Sequence, residues 1–208
     1  MKDKTELTIE AYNKNFSGYA DKFMDYDPYA KHVMDFAKLL EDGFKVLDIG
    51  CGPGNVAKQL RGAKRVEITG IDLSSEMIEI AKANVPDGIF HLQDSRKASF
   101  LLASFDAVVL SFCIVHLDDD EARGLLDNAV KWLKTGGYLY VSFMEGKQPG
   151  LETTSFSEQL IYFNYFNEIE IKTCLNEKGM DCFHSVRQDY VESDGSNTTD
   201  VFLFWKKR

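Results

Sequence analysis

VLDIGCGPGN, Val46 to Asn55, is the stretch from which the rest of the chain can be read. An apolar run passes directly into three glycines and a proline, so a buried strand meets a turn nearly bare of side chains. A turn of that kind lets the backbone come close to a ligand. Its spacing narrows the ligand. The glycines fall at Gly50, Gly52 and Gly54, with Asn55 where the dinucleotide fingerprint G-x-G-x-x-G sets its last glycine. The Gly-Lys-Ser/Thr ending of a phosphate-binding loop is absent. Asp48 stands two residues ahead of Gly50, and a carboxylate there repels a pyrophosphate and suits a cation.

Working outward, strand and helix patterns alternate. FKVLDI (44–49) is a strand, and NVAKQLRGA (55–63) is the helix after the turn. VEITGID (66–72) is a second strand, with Ser74 or Ser75 capping the helix SEMIEIAKANV. IFHLQ (89–93) and FDAVVLSF (105–112) follow. Asp118 and Glu121 then form a capping box ahead of a helix with Ala122, Leu125, Leu126, Ala129, Val130 and Leu133 on one face, which should stop at Gly136–Gly137. YLYVSFM (138–144) is the fifth strand. Continuous apolar strands joined by helices predict a parallel, doubly wound sheet, with its ligand crevice at the strands' C-terminal ends.

Both flanks depart from this alternation. Tyr12, Phe16, Tyr19 and Phe23 lie on one face of a helix, and DPYAKHVMDFAKLLEDG (27–43) is a second helix with Pro28 in its first turn and Gly43 past its end. After Met144 comes a long connection holding Phe156, Tyr162, Phe163, Tyr165 and Phe166. Asn167 and Glu170 then open a helix toward Gly179. Two strands, 182–191 and 199–205, finish the chain, and ESDGSN (192–197) between them has turn chemistry. Either aromatic segment can line a pocket or simply close the core.

The length of 208 residues suits a single domain, 1–208, with residues 1–42 capping the site and 145–167 lining part of it. A net charge of −9 disfavours nucleic acid as a partner. No apolar run is long enough to span a membrane, and the charged start lacks a signal peptide's apolar core, so a cytoplasmic protein is expected. The four cysteines show no paired spacing and are expected to be free thiols, with no metal site.

VLDIGCGPG resembles the first motif of class I S-adenosylmethionine-dependent methyltransferases, and the later landmarks follow in that family's order. GIDLSSEMIEIAK is similar to the segment after the second strand, LQDSRK to the adenine-reading turn, FDAVVLSFCIVHL to the fourth motif, and LKTGGYLYVS to the turn and strand beyond it. The resemblance implies the Rossmann-like methyltransferase fold: α/β, doubly wound, a mostly parallel seven-stranded sheet whose last strand is reversed. It implies S-adenosylmethionine as cofactor and S-adenosylhomocysteine as product. The cofactor would lie against Gly50, Cys51, Gly52 and Gly54, with Asp48 near its positive end. Asp72 would hold the ribose hydroxyls, Leu73 and Met77 would flank the adenine, and Asp94 would accept from its amine with Ser95 alongside. Ser111 and Phe112 belong to the fourth motif, and Tyr19 would reach the cofactor from the N-terminal helix, although Ala20 replaces the acidic residue often found there.

His116 lies just beyond the fourth strand, where the acceptor should sit. It is a candidate general base, or else a residue that holds its own loop. The [DN]-P-P-[YF] motif of amino-nitrogen methyltransferases is absent, since the chain has SFCIVH there. These features point to transfer of a methyl group, by in-line displacement, to a small-molecule acceptor. A nicotinamide-dependent oxidoreductase, a non-catalytic cofactor-binding module and a protein acceptor remain as alternatives.

Overall fold

The computed structural model describes residues 2–24, 26–191, 195 and 197–208. Its strands are β1 (Lys45–Ile49), β2 (Glu67–Asp72), β3 (Ile89–Leu92), β4 (Phe105–Ser111), β5 (Leu133–Glu145), β6 (Gly150–Thr154), β7 (Ser157–Phe163), β8 (Met180–Val191) and β9 (Asn197–Lys207). Seven of them form one sheet in the order β3-β2-β1-β4-β5-β9-β8. The first five strands of the chain pair in parallel, and β9 runs antiparallel between β5 and β8. This is the α/β sheet with a reversed last strand that the resemblance implied.

The helices are α1 (Lys4–Phe23), α2 (Asp27–Ala37), α3 (Asn55–Ala63), α4 (Ser75–Asn84), α5 (Asp119–Trp132) and α6 (Glu168–Glu177). They bury both faces of the sheet. On one face Leu125, Leu126 and Leu175 pack with Val108, Leu110, Val201, Leu203 and Trp205. On the other, Phe36, Leu60 and Ile78 pack with Ala107, Val109, Phe202 and Phe204. Alternate residues of β4 and β9 thus enter different cores, which is why the β9 run VFLFW (201–205) shows no polar alternation. Ser74 caps α4 by accepting the Met77 N–H, and Asp118 with Glu121 makes the capping box of α5. Among the described residues no helix is long and apolar enough to cross a membrane. The four cysteines are free thiols.

Several boundaries differ from the sequence expectation. Helix α2 ends at Ala37, well short of Gly43, whose φ of +85° instead turns the chain toward β1. Helix α5 ends at Trp132, and β5 begins at once, with an irregularity in its pairing to β4 between Phe105 and Ala107. Gly136 and Gly137 therefore lie inside a strand. Gly137 fits there because a Cβ would meet the Asp106 carbonyl at 2.8 Å. The connection after β5 contains the antiparallel pair β6–β7, a second small sheet. Of the ESDGSN turn, Glu192, Ser193, Asp194 and Ser196 lie outside the described residues. Near the C-terminus the Lys207 ammonium donates to the Val130 and Leu133 carbonyls at the end of α5, while Lys206 and Arg208 beside it are exposed.

Candidate functional site

The C-terminal ends of β1, β2 and β4 open into a cavity of about 250 Å³, roofed by α1 and the β6–β7 pair. It lies where the strand order reverses, between β1 and β4. The glycine loop forms its floor. Gly50 and Gly52 adopt left-handed conformations, with φ of +66° and +51°, and the Gly50 and Cys51 N–H groups both donate to the Ile71 carbonyl. A Cβ on Gly50 would meet the Cys113 sulfur at 2.8 Å, so this turn packs tightly against the end of β4.

Two buried carboxylates flank the loop. Asp72 is fixed by backbone donors: its Oδ2 accepts the Gly52 N–H at 2.9 Å and its Oδ1 accepts the Ser74 N–H at 2.8 Å. Burial raises its carboxyl above the ordinary range against the pull of these donors. Asp48 is 1% exposed, and its Oδ2 is buried with no hydrogen-bond partner among the described residues. Burial, reinforced by the negative charge of Asp72, pushes its carboxyl up to about 7, while the Ala57 N–H opposes the rise. An orphaned acidic oxygen beside a glycine turn fits a ligand's cationic group and disfavours a phosphate.

Asp94 sits at the start of a short 3-10 turn (Ser95–Lys97), where Arg96 holds both its oxygens at 2.7–3.2 Å and keeps its carboxyl low. The same guanidinium reaches Thr5 and Glu121, while Lys4 donates to Asp118 and Glu121 at 2.7 Å. The first turn of α1 is thereby tied to the Asp94 turn and to the cap of α5. Farther along, Asn13 accepts from Ser74, and Asn15 donates to Ser157 and Gln159 of β7. Asn15 is also where α1 kinks, with φ −115° and ψ 21°.

His116 ends a second 3-10 turn (Ile114–His116) under this roof. Its Nδ1 lies 2.9 Å from the Tyr162 carbonyl, which can only accept, so Nδ1 carries the proton. Its Nε2, 3.0 Å from the Tyr12 hydroxyl, is then the acceptor. Burial lowers the imidazole to about 4 against the Tyr162 carbonyl's opposing pull, so it is neutral near pH 7. Burial, with the nearby charge of Tyr19, Asp72 and Cys113, raises the Tyr12 phenol well above its ordinary value. The ring of Phe156, between β6 and β7, packs on Tyr12, Tyr19 and Phe23 at centroid distances of 5.7, 5.1 and 6.1 Å.

Of the residues singled out from sequence, Tyr19, Asp48, Gly50, Cys51, Gly52, Asp72, Leu73, Met77, Asp94, Ser95, Ser111, Phe112 and His116 all border this cavity. Gly54 stands apart: its φ is +77° and a Cβ would meet Ala81 of α4 at 3.1 Å, so it packs the loop against a helix. Phe16 of the aromatic stripe lies outside the cavity wall. Phe112 is a non-glycine residue at φ +50°, held by Ser142 and stacked on Tyr29 at 5.0 Å. Sequence reasoning noted Tyr12 as a ring but missed its hydroxyl's partner 104 residues away. It also missed Lys22, Tyr29 and Asp200, which no local motif marks. Tyr29 donates to the buried Asp200 at 2.6 Å.

Residues 46–137 match a family model described as a methyltransferase domain. Phosphoethanolamine N-methyltransferase 2 of Caenorhabditis elegans is 32% identical over 187 residues, 85% of this chain and 42% of that protein. Demethylmenaquinone methyltransferase of Thermotoga maritima is 40% identical over 98 residues, 47% of this chain and 42% of that protein. The chain thus aligns with less than half the length of these relatives. Among solved structures, the 1,6-didemethyltoxoflavin N1-methyltransferase of Burkholderia thailandensis has a TM-score of 0.72 at 17% identity, covering 100% of this chain and 92% of that one. That likeness speaks to the fold.

Proposed function

We propose that this chain, which belongs to the class I S-adenosylmethionine-dependent methyltransferase family, methylates a small molecule held between the glycine loop and the aromatic roof. In this reading it acts as one domain, with α1 and α2 capping the site and residues 145–167 lining its acceptor end. The observation that carries the reading is the unpartnered Asp48 oxygen beside the loop. S-adenosylmethionine brings a sulfonium and an ammonium, and either positive charge would draw Asp48 to its ionised form. The Asp72 carboxylate, immobilised through two backbone donors, keeps lone pairs for a vicinal diol. Leu73 and Met77 offer apolar flanks for a purine. Asp94 can accept an exocyclic amine only by sharing oxygens that Arg96 already engages.

When bound, the cofactor supplies an electrophilic methyl group. The chain's own part is to align the acceptor, exclude water and manage the acceptor's proton. Because Tyr12 gives its hydroxyl proton to His116, the lone pairs of its oxygen remain for an acceptor N–H or O–H. His116 thus acts through Tyr12, and its neutral form and Nδ1–H tautomer, set by the Tyr162 carbonyl, hold the phenol in place. Tyr12 is the group we assign to contact the acceptor, with His116 as its positioning residue.

Calorimetry tests the reading. S-adenosylhomocysteine should bind to the purified chain and NADH should not. Tight NADH binding with no S-adenosylhomocysteine binding would replace it with the oxidoreductase alternative. Transfer of label from S-adenosylmethionine to a component of a metabolite extract would separate an enzyme from a binding module.

A further inference from the structure

The cavity that holds the acidic loop also has a cation at its opposite end, and that cation carries a statement about the acceptor. Lys22, in the last turn of α1, is half-buried in the cavity wall. Among the described residues no carboxylate lies within salt-bridge distance of it, whereas most other lysines near the site are paired: Lys4 with Asp118 and Glu121, Lys147 with Glu152. Its ammonium donates instead to two hydroxyls, Ser155 Oγ and, at 3.1 Å, the Tyr190 phenol. It also lies over the Phe23 ring, 5.0 Å from its centroid.

The hydrogen-bond inventory of this group is one-sided. An ammonium has three donors and no acceptor, and two of its donors are committed to the hydroxyls. Each hydroxyl, having accepted from Lys22, keeps its own proton to donate elsewhere. The third ammonium proton and the two hydroxyl protons are therefore left without an acceptor among the described residues. The Phe23 ring beside the ammonium limits its hydration and so strengthens any charge pairing made there.

We propose that Lys22, Ser155 and Tyr190 form an oxyanion subsite, and that the methyl acceptor carries a carboxylate or phosphate group bound there. This rests on the methyltransferase reading for the identity of the ligand as acceptor, but the subsite is testable without it. The rings of Tyr12, Tyr19 and Phe23 join the two ends: Tyr12 meets Tyr19 at 5.3 Å and Tyr19 meets Phe23 at 4.8 Å. An acceptor anchored at Lys22 by its anion extends its nucleophilic atom along these rings to Tyr12. Lys22 attracts such an anion, whereas the Asp48 and Asp72 carboxylates repel it, and the buried Asp200 carboxylate nearby is engaged by the Tyr29 hydroxyl.

The test is calorimetric titration of the purified chain, with and without saturating S-adenosylhomocysteine, using benzoate, phenyl phosphate and neutral benzyl alcohol as probes. Binding of benzoate or phenyl phosphate at least ten-fold tighter than benzyl alcohol is expected, and which of the two is tighter separates a carboxylate from a phosphate acceptor. Lys22→Met should erase the preference, Lys22→Arg should keep it, and Tyr190→Phe should reduce it. Equal binding of charged and neutral probes, or an anion preference that survives Lys22→Met, overturns the subsite. Loss of S-adenosylhomocysteine binding in the wild-type chain would instead overturn the methyltransferase reading. An anion preference that depended on Lys22 would still support the subsite in that case.

Discussion

Replacing Asp48 with asparagine should make the protein more stable and a poorer binder of a cationic cofactor. The carboxyl is pushed from its usual 3.8 up to about 7, by burial first and then by the charge of Asp72. The folded state therefore holds this proton more tightly than the unfolded chain does. Stability falls as pH rises from about 4 to about 7 and is flat above, the opposite of an ion-paired aspartate. A shift of about three units at 1.36 kcal/mol each sets a ceiling of about 4 kcal/mol on the cost at pH 8. Asparagine keeps the shape and removes the charge, but it introduces an amide donor that must find a partner, at about 1–2 kcal/mol. The expected net gain is about 2 kcal/mol, or about 4–8 °C in melting temperature for a chain of this size. Differential scanning calorimetry from pH 5 to 8.5 would show the two proteins close together at pH 5 and separated at pH 8. In parallel, affinity for S-adenosylmethionine should rise with pH in the wild type, as Asp48 ionises, and lose that dependence in the variant. Melting curves that stay parallel across this range, or a variant less stable at pH 8, would refute the assignment of an uncompensated buried charge.

Asp72→Asn should weaken S-adenosylhomocysteine binding by about 1.5–3 kcal/mol, through loss of charge-assisted hydrogen bonds. An unchanged dissociation constant would remove Asp72 from the site. Tyr12→Phe keeps the ring and leaves the His116 Nε2 without its donor, so kcat should fall at least ten-fold, by an order-of-magnitude expectation for a lost proton-handling group, with little change in cofactor affinity. Because burial lowers His116 to about 4, kcat at saturating cofactor should show no His116-dependent inflection between about pH 5.5 and 8; one near the free imidazole value, abolished in His116→Asn, would show a solvent-accessible base instead. Gly54→Ala, which combines a left-handed backbone with a close approach to Ala81, should lower stability by about 1–3 kcal/mol, and an unshifted thermal unfolding curve would contradict that strain.

The central sheet was legible because its determinants are local and periodic. Continuous apolar runs, capping residues at Ser74 and Asp118, and glycines at positions of positive φ each act within a few residues of themselves. The glycine-loop side of the cavity was legible for the same reason: Asp48, Gly50, Gly52, Asp72 and Asp94 lie at or just beyond strand ends, where the fold fixes what a short motif can reach. The β6–β7 pair escaped notice because its strands carry polar and aromatic residues without a clean alternation, and its register breaks between Glu152 and Thr154. The end of α2 was overestimated because Lys38 to Glu41 continue a helical pattern, while the chain must turn there to bring Phe44 and Lys45 onto the sheet. The Tyr12–His116 contact had no local signature at all. It joins residues 104 positions apart in sequence, brought together by the packing of α1 over β7.

This difference in legibility follows from how the site is divided. The floor of the cavity is made by the turns of the parallel sheet, whose geometry is constrained by strand pairing and by glycines that tolerate no side chain. The roof is made by α1, β6–β7 and the Tyr190 and Asp200 positions of β8 and β9, where hydrogen bonds such as Asn15 to Gln159 and Lys4 to Glu121 join segments far apart in sequence. A substitution in the floor, such as Asp48→Asn, disturbs a buried charge and is felt as stability. A substitution of Lys22, half-exposed and bonded among the described residues to two hydroxyls, costs little in folding and is felt in which ligand is held. The roof can therefore change its chemistry while the floor stays fixed, so acceptor preference should follow Lys22, Ser155 and Tyr190 rather than the glycine loop.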